Sequence, residues 1–434
     1  MSWRTRWRTY EYVRNSIWIV PGILGTLAIV AGIVLPDVDE HVDTTIGVEF
    51  GQDAARSVLG ALAGGMITFT GFVFSILLLA VQFGSSQFSP RLLRRFLRDP
   101  TTKIALGTFI ATFLYALTVL RVIGTADDEA FVPSNAVSVA MLLLLASMLM
   151  FLRLIHRTTQ GLRVATVLAE LGSDARKVVA EVYPEPIGSA ADESDERDAD
   201  ERPAEARDVT YLGAPGILQS VDREGLVVLA RTADAVIEMV PRVGDFLAEG
   251  YPLFRIHGDA GAIDDRRLQG SVAIGDERTM RQDVGFAFRV LADISARALS
   301  PGVNDPTSAT QALDQIELLL RQLATRRLTP GIARDEAGRV RLRFPTPTWE
   351  DFLSLGIDET RHFSEGSVQV MRRLRALLTD LRTIAPPSRQ AAIDTQLLLL
   401  DAGVERTFAA PGDRVVARTY DRQGLGASVE SVER

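Results

Sequence analysis

The stretch GGMITFTGFVFSILLLAVQFGSSQFSPRLLRRFL, Gly64 to Leu97, is apolar enough to lie in lipid, yet glycine, threonine, serine and glutamine keep returning within it. On a helix Gly64, Thr68, Gly71, Ser75, Gln82 and Ser85 follow one another at offsets of 4, 3, 4, 7 and 3, so they share one face, with Leu78 as its apolar exception. Two physical readings fit. Small residues let helix backbones approach closely, which makes the face a packing seam between helices or subunits. In a symmetric oligomer the same residues would instead meet water and a passing solute. Packing seams are the commoner use of such a face, and Gln82 keeps the second reading open, because an amide deep in a span is costly unless partnered.

Three further apolar runs accompany this one, giving spans at about 17–35, 57–83, 104–123 and 136–155, each close to the twenty or so residues that cross a hydrocarbon layer. The first is preceded by WRTRWRTYEYVR, arginines interleaved with aromatics that suit a headgroup zone, and it lacks the cleavage site of a signal peptide. The loops alternate in charge. PDVDEHVDTTIGVEFGQDAAR and GTADDEAFVP are acidic, whereas SPRLLRRFLRD and RLIHRTTQGLR are basic. The positive-inside bias therefore places both termini in the cytoplasm, together with everything after about Ile155. Ser89 and Pro90 can open a helix that gathers Arg91, Arg94, Arg95 and Arg98 on one side. That side either rests on anionic lipid or, around an axis, forms a positive mouth.

Composition removes several function classes. The chain has no cysteine, so disulfides and thiolate sites are excluded, and its four histidines are scattered. Asp358 and His362 stand one helical turn apart, but a metal needs three or four convergent ligands, so no metal site is expected. The net charge of −8 is concentrated: Glu185 to Asp208 holds ten acids against three arginines, a net of −7. The remainder is nearly neutral and offers no basic surface to nucleic acid. The acidic run lacks aromatics and aliphatic periodicity and is expected to be a disordered linker. No phosphate-binding glycine loop, nucleophile elbow or metal cluster points to an enzyme.

Past the acidic run, GLVVLA, AVIEMV and VGDFLAEGYPLFRI read as strands punctuated by Gly216, Gly225, Gly244 and Gly250, the pattern of a small antiparallel barrel. It is similar to half of a biotinyl or lipoyl barrel. No lysine follows Lys177, so neither cofactor can be attached and none is expected. From Glu277 the period becomes helical. Val284, Phe288, Leu291 and Ile294 form one stripe, and Ala309, Leu313, Ile316, Leu320 and Leu323 form another. Between them Ser300, Pro301, Gly302, Asn304 and Asp305 make either a capped turn or a loop that receives an anion at a helix start. Further helices are expected at about 348–383 and 388–403, with a poorly ordered tail after Asp413.

The runs TFTGFVFSILLLAVQFGSSQFSPRLLRRFLRD, GILQSVDREGLVVLA, VGDFLAEGYPL and RALSPGVNDPTSATQALD together resemble the bacterial family of predicted membrane proteins known as domain of unknown function 2254. The resemblance implies a location in the bacterial cytoplasmic membrane and carries no catalytic residues. The expected fold is four transmembrane helices plus a cytoplasmic α+β region containing a barrel-like module and a helical module. Its divisions are a membrane domain over 1–165, a helix end and acidic linker over 166–208, the barrel over 209–260, helices over 261–412 and a tail over 413–434. The expected function is an oligomeric channel or passive pathway for small ions, lined by the second span; the alternative is a non-conducting sensor or scaffold that docks partner proteins.

Overall fold

A computed structural model describes residues 3–41, 49–87, 99–123, 132–161, 163–188, 206–258, 261, 263–328 and 331–423. They form two compact units, one of Thr9–Arg163, the other of Met1–Arg8 with Val164–Arg434.

The first unit is built from most of α1 (Trp3–Asn15) and from α2 (Ile19–His41), α3 (Gln52–Gln87), α4 (Pro100–Ile123) and α5 (Ser134–Gly161). Among the described residues α2 to α5 are the four helices long and apolar enough to cross a membrane. Their packing inverts that of a water-soluble bundle. Ile23, Leu27, Val30, Leu145, Leu149 and Leu152 point outward, as a hydrocarbon surround requires. Alanines, glycines and a few large groups lie inside. Tyr115, Val119 and Ile123 of α4 pack on Ala55, Leu59 and Leu62 of α3. Phe69 meets Phe109 and Phe151 edge-on, at centroid separations of 5.2 and 4.9 Å.

In this unit α2 and α4 pack closely through small residues. Pro21, Gly25, Ala28, Gly32 and Pro36 form the buried side of α2. A Cβ on Gly107 would stand 2.6 Å from Leu24 Cδ1 and 3.2 Å from Pro21 Cα, and one on Gly32 would stand 2.8 Å from Thr118 Cβ. Polar groups inside this unit find partners within it. Thr112 and Ser147 share a hydrogen bond of 2.9 Å, the Tyr115 hydroxyl donates to Ala136 O at 3.0 Å, and Asp39 accepts the otherwise unpaired N–H of Ala136 at 2.9 Å. Lys103 donates to Arg14 O at 2.7 Å.

The second unit begins with α6 (Val164–Val182). It continues through β1 (Ala206–Thr210), β2 (Gly216–Val221), α7 (Arg223–Thr232), β3 (Val236–Met239), β4 (Phe246–Leu247), β5 (Pro252–His257), α8 (Asp265–Gln269) and β6 (Val272–Gly275). It ends with α9 (Val284–Ala298), α10 (Pro306–Ala324), β7 (Ile332–Arg334), β8 (Val340–Arg343), α11 (Trp349–Phe363), α12 (Val368–Ile384), α13 (Pro387–Thr407) and α14 (Pro411–Ala417). The strands make two open sheets, ordered β1-β5-β3-β8-β7 and β4-β2-β6, rather than a closed barrel.

Two features of the sequence explain that correction. GLVVLA is not a strand but the body of α7, whose first turn is capped by Asp222 accepting the Gly225 N–H at 3.1 Å. Leu226 and Ala230, four residues apart, face the core while Val228 is exposed, which is a helical rather than an alternating pattern. In addition β8 arrives from far along the chain to pair in parallel with β3, so the sheets reach beyond the 209–260 stretch. The helical stripes expected from Val284 and from Ala309 are buried on α9 and α10. The single helix expected over 348–383 is two, α11 and α12, parted at Ser364–Ser367, where Gly366 has φ +93°. The chain after Asp413 is not loose throughout: α14 runs to Ala417, and Tyr420 and Arg422 hydrogen-bond Asp380. Residues 189–205 of the acidic run and 424–434 of the tail lie outside the described residues.

Candidate functional site: the outward face of the second span

At 100° per residue, the positions buried on α3, including Ala55, Leu59, Met66, Val73 and Ala80, cluster about one direction, and Gly64, Thr68, Gly71, Ser75 and Gln82 cluster about 180° away. All five are exposed. A Cβ built on Gly64, Gly65 or Gly71 would meet nothing within 4 Å. No helix of the same chain therefore packs on this face among the described residues, and the intramolecular seam that small residues suggest is made instead by α2 and α4. Large apolar residues, Ile67, Phe72, Phe74 and Phe83, flank the small ones. Ser85 belongs to α3, but its side chain lies outside the described residues, as do Arg91, Arg94, Arg95 and Arg98.

The polar atoms of the face divide into two kinds. Thr68 donates to Gly64 O at 3.1 Å and Ser75 to Gly71 O at 3.0 Å, so both hydroxyls are satisfied along their own helix and cost little in any surround. Gln82 has no such bond among the described residues. α3 has 36 residues, about 54 Å at 1.5 Å each, well over the roughly 30 Å of a hydrocarbon core. Phe69, near the helix midpoint, meets Phe109 and Phe151, and Gln82 stands 13 residues beyond it, about 20 Å along the axis. Gln82 thus lies toward the C-terminal end of α3, and Thr68, Gly71 and Ser75 lie near its midpoint. Beside the face an apolar groove of about 490 Å³ runs between α3 and α5, floored by Gly65, Met66 and Phe69 and walled by Leu144 and Met148.

The loop between α9 and α10 is held by its own backbone. Asp305 N donates to Ala298 O at 2.7 Å and Asn304 N to Ser300 O at 2.9 Å, while Ser300 Oγ donates to Arg297 O at 2.7 Å. Asn304 adopts φ +46°, and Asp305 accepts the Ser308 N–H at 3.1 Å as the α10 cap. Pro301 and Gly302 are exposed at its tip. Asp358 accepts from Gln396 at 2.8 Å and Arg361 at 3.3 Å, and no cluster of three metal-ligating side chains occurs among the described residues.

Four apolar helices joined to an α+β unit define a membrane protein with a substantial domain outside the spans. The chain belongs to the family described as predicted membrane protein (DUF2254), whose model matches residues 14–380. It is similar to uncharacterized proteins of Mycobacterium bovis and Mycobacterium tuberculosis strain H37Rv, each 31% identical over 98% of this chain and 81% of the relative. No solved structure matches it.

Proposed function

We propose that this protein is a homo-oligomer of the bacterial cytoplasmic membrane in which the outward faces of α3 from several copies surround a pathway for small ions, without covalent chemistry. The observation that carries this reading is the direction of the face. Gly64, Thr68, Gly71, Ser75 and Gln82 point away from the other described helices of this unit, where a lone membrane subunit would place large apolar residues. Gly64 and Thr68, and again Gly71 and Ser75, have the small-xxx-small spacing that lets helices approach. Four helices in one chain leave no room for an aqueous path, so the path requires several copies. The loop charges favour cytoplasmic termini, an orientation that puts Gln82 toward the inner mouth, with the basic run 91–98 following it in sequence.

The test is ion flux under a salt gradient in liposomes holding purified protein. Wild type conducts; Ser75→Leu, near the midpoint of α3, abolishes flux, and Gln82→Leu alters selectivity while assembly persists. Oligomers that never conduct over a range of voltages would instead make the face a contact seam of a scaffold or sensor that docks partner proteins. The open backbone at Gly64 and Gly71 favours that second reading equally well on steric grounds.

A further inference from the structure

In the second unit a cleft of about 350 Å³ opens where the sheets meet the helices. Five parts of the chain form it: the end of α6 with Tyr183, the first residue of α7, the stretch 239–245 from the end of β3, the segment 278–285 that leads into α9, and the passage 344–355 from β8 into α11. A void of about 150 Å³ already admits a benzene ring, so this one accepts an organic molecule. Its apolar wall consists of Met239, Val243, Phe344, Pro345, Pro347 and Leu355.

Three arginines, Arg223, Arg242 and Arg278, and three aspartates, Asp245, Asp283 and Asp351, also line the cleft, but they do not all pair. Arg278 clasps Asp283 Oδ2 through Nε at 2.9 Å and Nη2 at 2.7 Å, while Asp283 Oδ1 accepts the Phe286 N–H at 2.9 Å as the cap of α9. Gly244 lies against that pair with φ +102°, and a Cβ there would come within 2.6 Å of Asp283 Oδ2, so only glycine fits. Asp351 closes the capping box of α11 and pairs with Arg242 at 3.4 Å. Asp245 accepts the Arg242 backbone N–H at 2.8 Å. Every carboxylate of the cleft is thus engaged.

Arg223 is not. Its guanidinium lies 4.1 Å from the centroid of the Phe344 ring, and its side chain makes no hydrogen bond or ion pair among the described residues. Burial makes that cation costly and lowers its pKa. Tyr183 is 2% exposed, its ring edge-on to Phe352, and its hydroxyl likewise has no partner among the described residues. Burial pushes that hydroxyl up to about 12, so it remains a neutral donor at physiological pH. Two donors with no hydrogen-bond partner among the described residues, one of them charged, therefore line a cleft that also carries Met239, Val243, Phe344, Pro345, Pro347 and Leu355.

We infer that this cleft binds a small organic anion, with its phosphate or carboxylate head held by Arg223 and Tyr183 and its apolar body against Phe344 and the prolines. The planar fork of an arginine suits either head. The site touches both sheet and helices of the unit and the end of α6, the helix that follows the last span in sequence, so occupancy would stiffen the unit. This inference does not rest on the permeation reading.

The experiment measures thermal midpoints and binding isotherms of the full-length protein in nanodiscs, with phenyl phosphate, benzoate, neutral phenol and inorganic phosphate as probes. Phenyl phosphate or benzoate raises the midpoint, phenol does not, and the tighter of the two identifies the head. Arg223→Gln weakens that binding at least about tenfold and Tyr183→Phe, which removes one oxygen only, about threefold or more. Arg339→Gln, an exposed cation elsewhere in the unit, leaves binding unchanged. No binding of either anion up to about 10 mM, equal binding of phenol, or unaltered binding by both cleft variants would overturn the inference.

Discussion

Arg373 has a side chain only 5% exposed, and it reaches Asp314 at 2.8 Å and Glu317 at 2.5 Å, tying α12 to α10. Removing one partner of a buried ion pair commonly costs 3–5 kcal/mol, but Asp314 is half exposed and Glu317 retains Arg321 at 3.3 Å. Arg373→Ala should therefore destabilise the second unit by about 3 kcal/mol, read as a shift in denaturation midpoint. Asp380 is expected to make stability depend on pH. Burial disfavours its ionised form, yet hydrogen bonds from Arg422 and Tyr420 outweigh burial and hold its carboxyl below the usual 3.8. Since the folded chain binds this proton less readily than the unfolded one, the contribution is complete above the usual carboxylate value and drains away as pH falls from about 3.8. Asp380→Asn should lower the midpoint at neutral pH and flatten the acid limb of a stability profile. Neither group was legible beforehand, because the partners are 56 and 42 residues away in sequence.

Among elements, glycines with the same sequence signature do different work on different helices. Gly107 faces Leu24, whose tip can move, and Pro21, whose backbone cannot. Gly107→Ala is expected to cost about 1–3 kcal/mol by overpacking α2 on α4. Gly71→Ala, with nothing within 4 Å, should leave the thermal midpoint of a dissociated subunit unchanged, while Gly71→Leu should weaken the oligomer; light scattering after size exclusion distinguishes the two. Length and hydropathy were enough to find all four spans, since a run of twenty apolar residues has few other uses. They did not reveal which small-residue face is internal, because Gly25, Gly32 and Gly107 carry the same periodic signal as Gly64 and Gly71. GLVVLA was misread for a related reason. A six-residue apolar run fits strand and helix alike, and the decisive residue, the Asp222 cap, precedes it.

For the whole molecule, membrane class and the α+β character of the second unit follow from sequence patterning, whereas the closed barrel does not survive the long-range pairing of β8 with β3. The cleft around Arg223 was invisible to motif reading, since its parts come from five stretches between Val182 and Leu355 and none is distinctive alone. The central claim is that the outward face of α3 meets water in the assembled protein. The natural absence of cysteine permits a direct test by single substitutions, Thr68→Cys, Ser75→Cys and, as a lipid-facing control, Leu149→Cys, each exposed to a charged, membrane-impermeant thiol reagent in sealed liposomes. The account predicts rapid modification at 68 and 75, with loss of flux, and none at 149. Protection of 68 and 75 to the same degree as 149, in protein shown to be oligomeric, would contradict it.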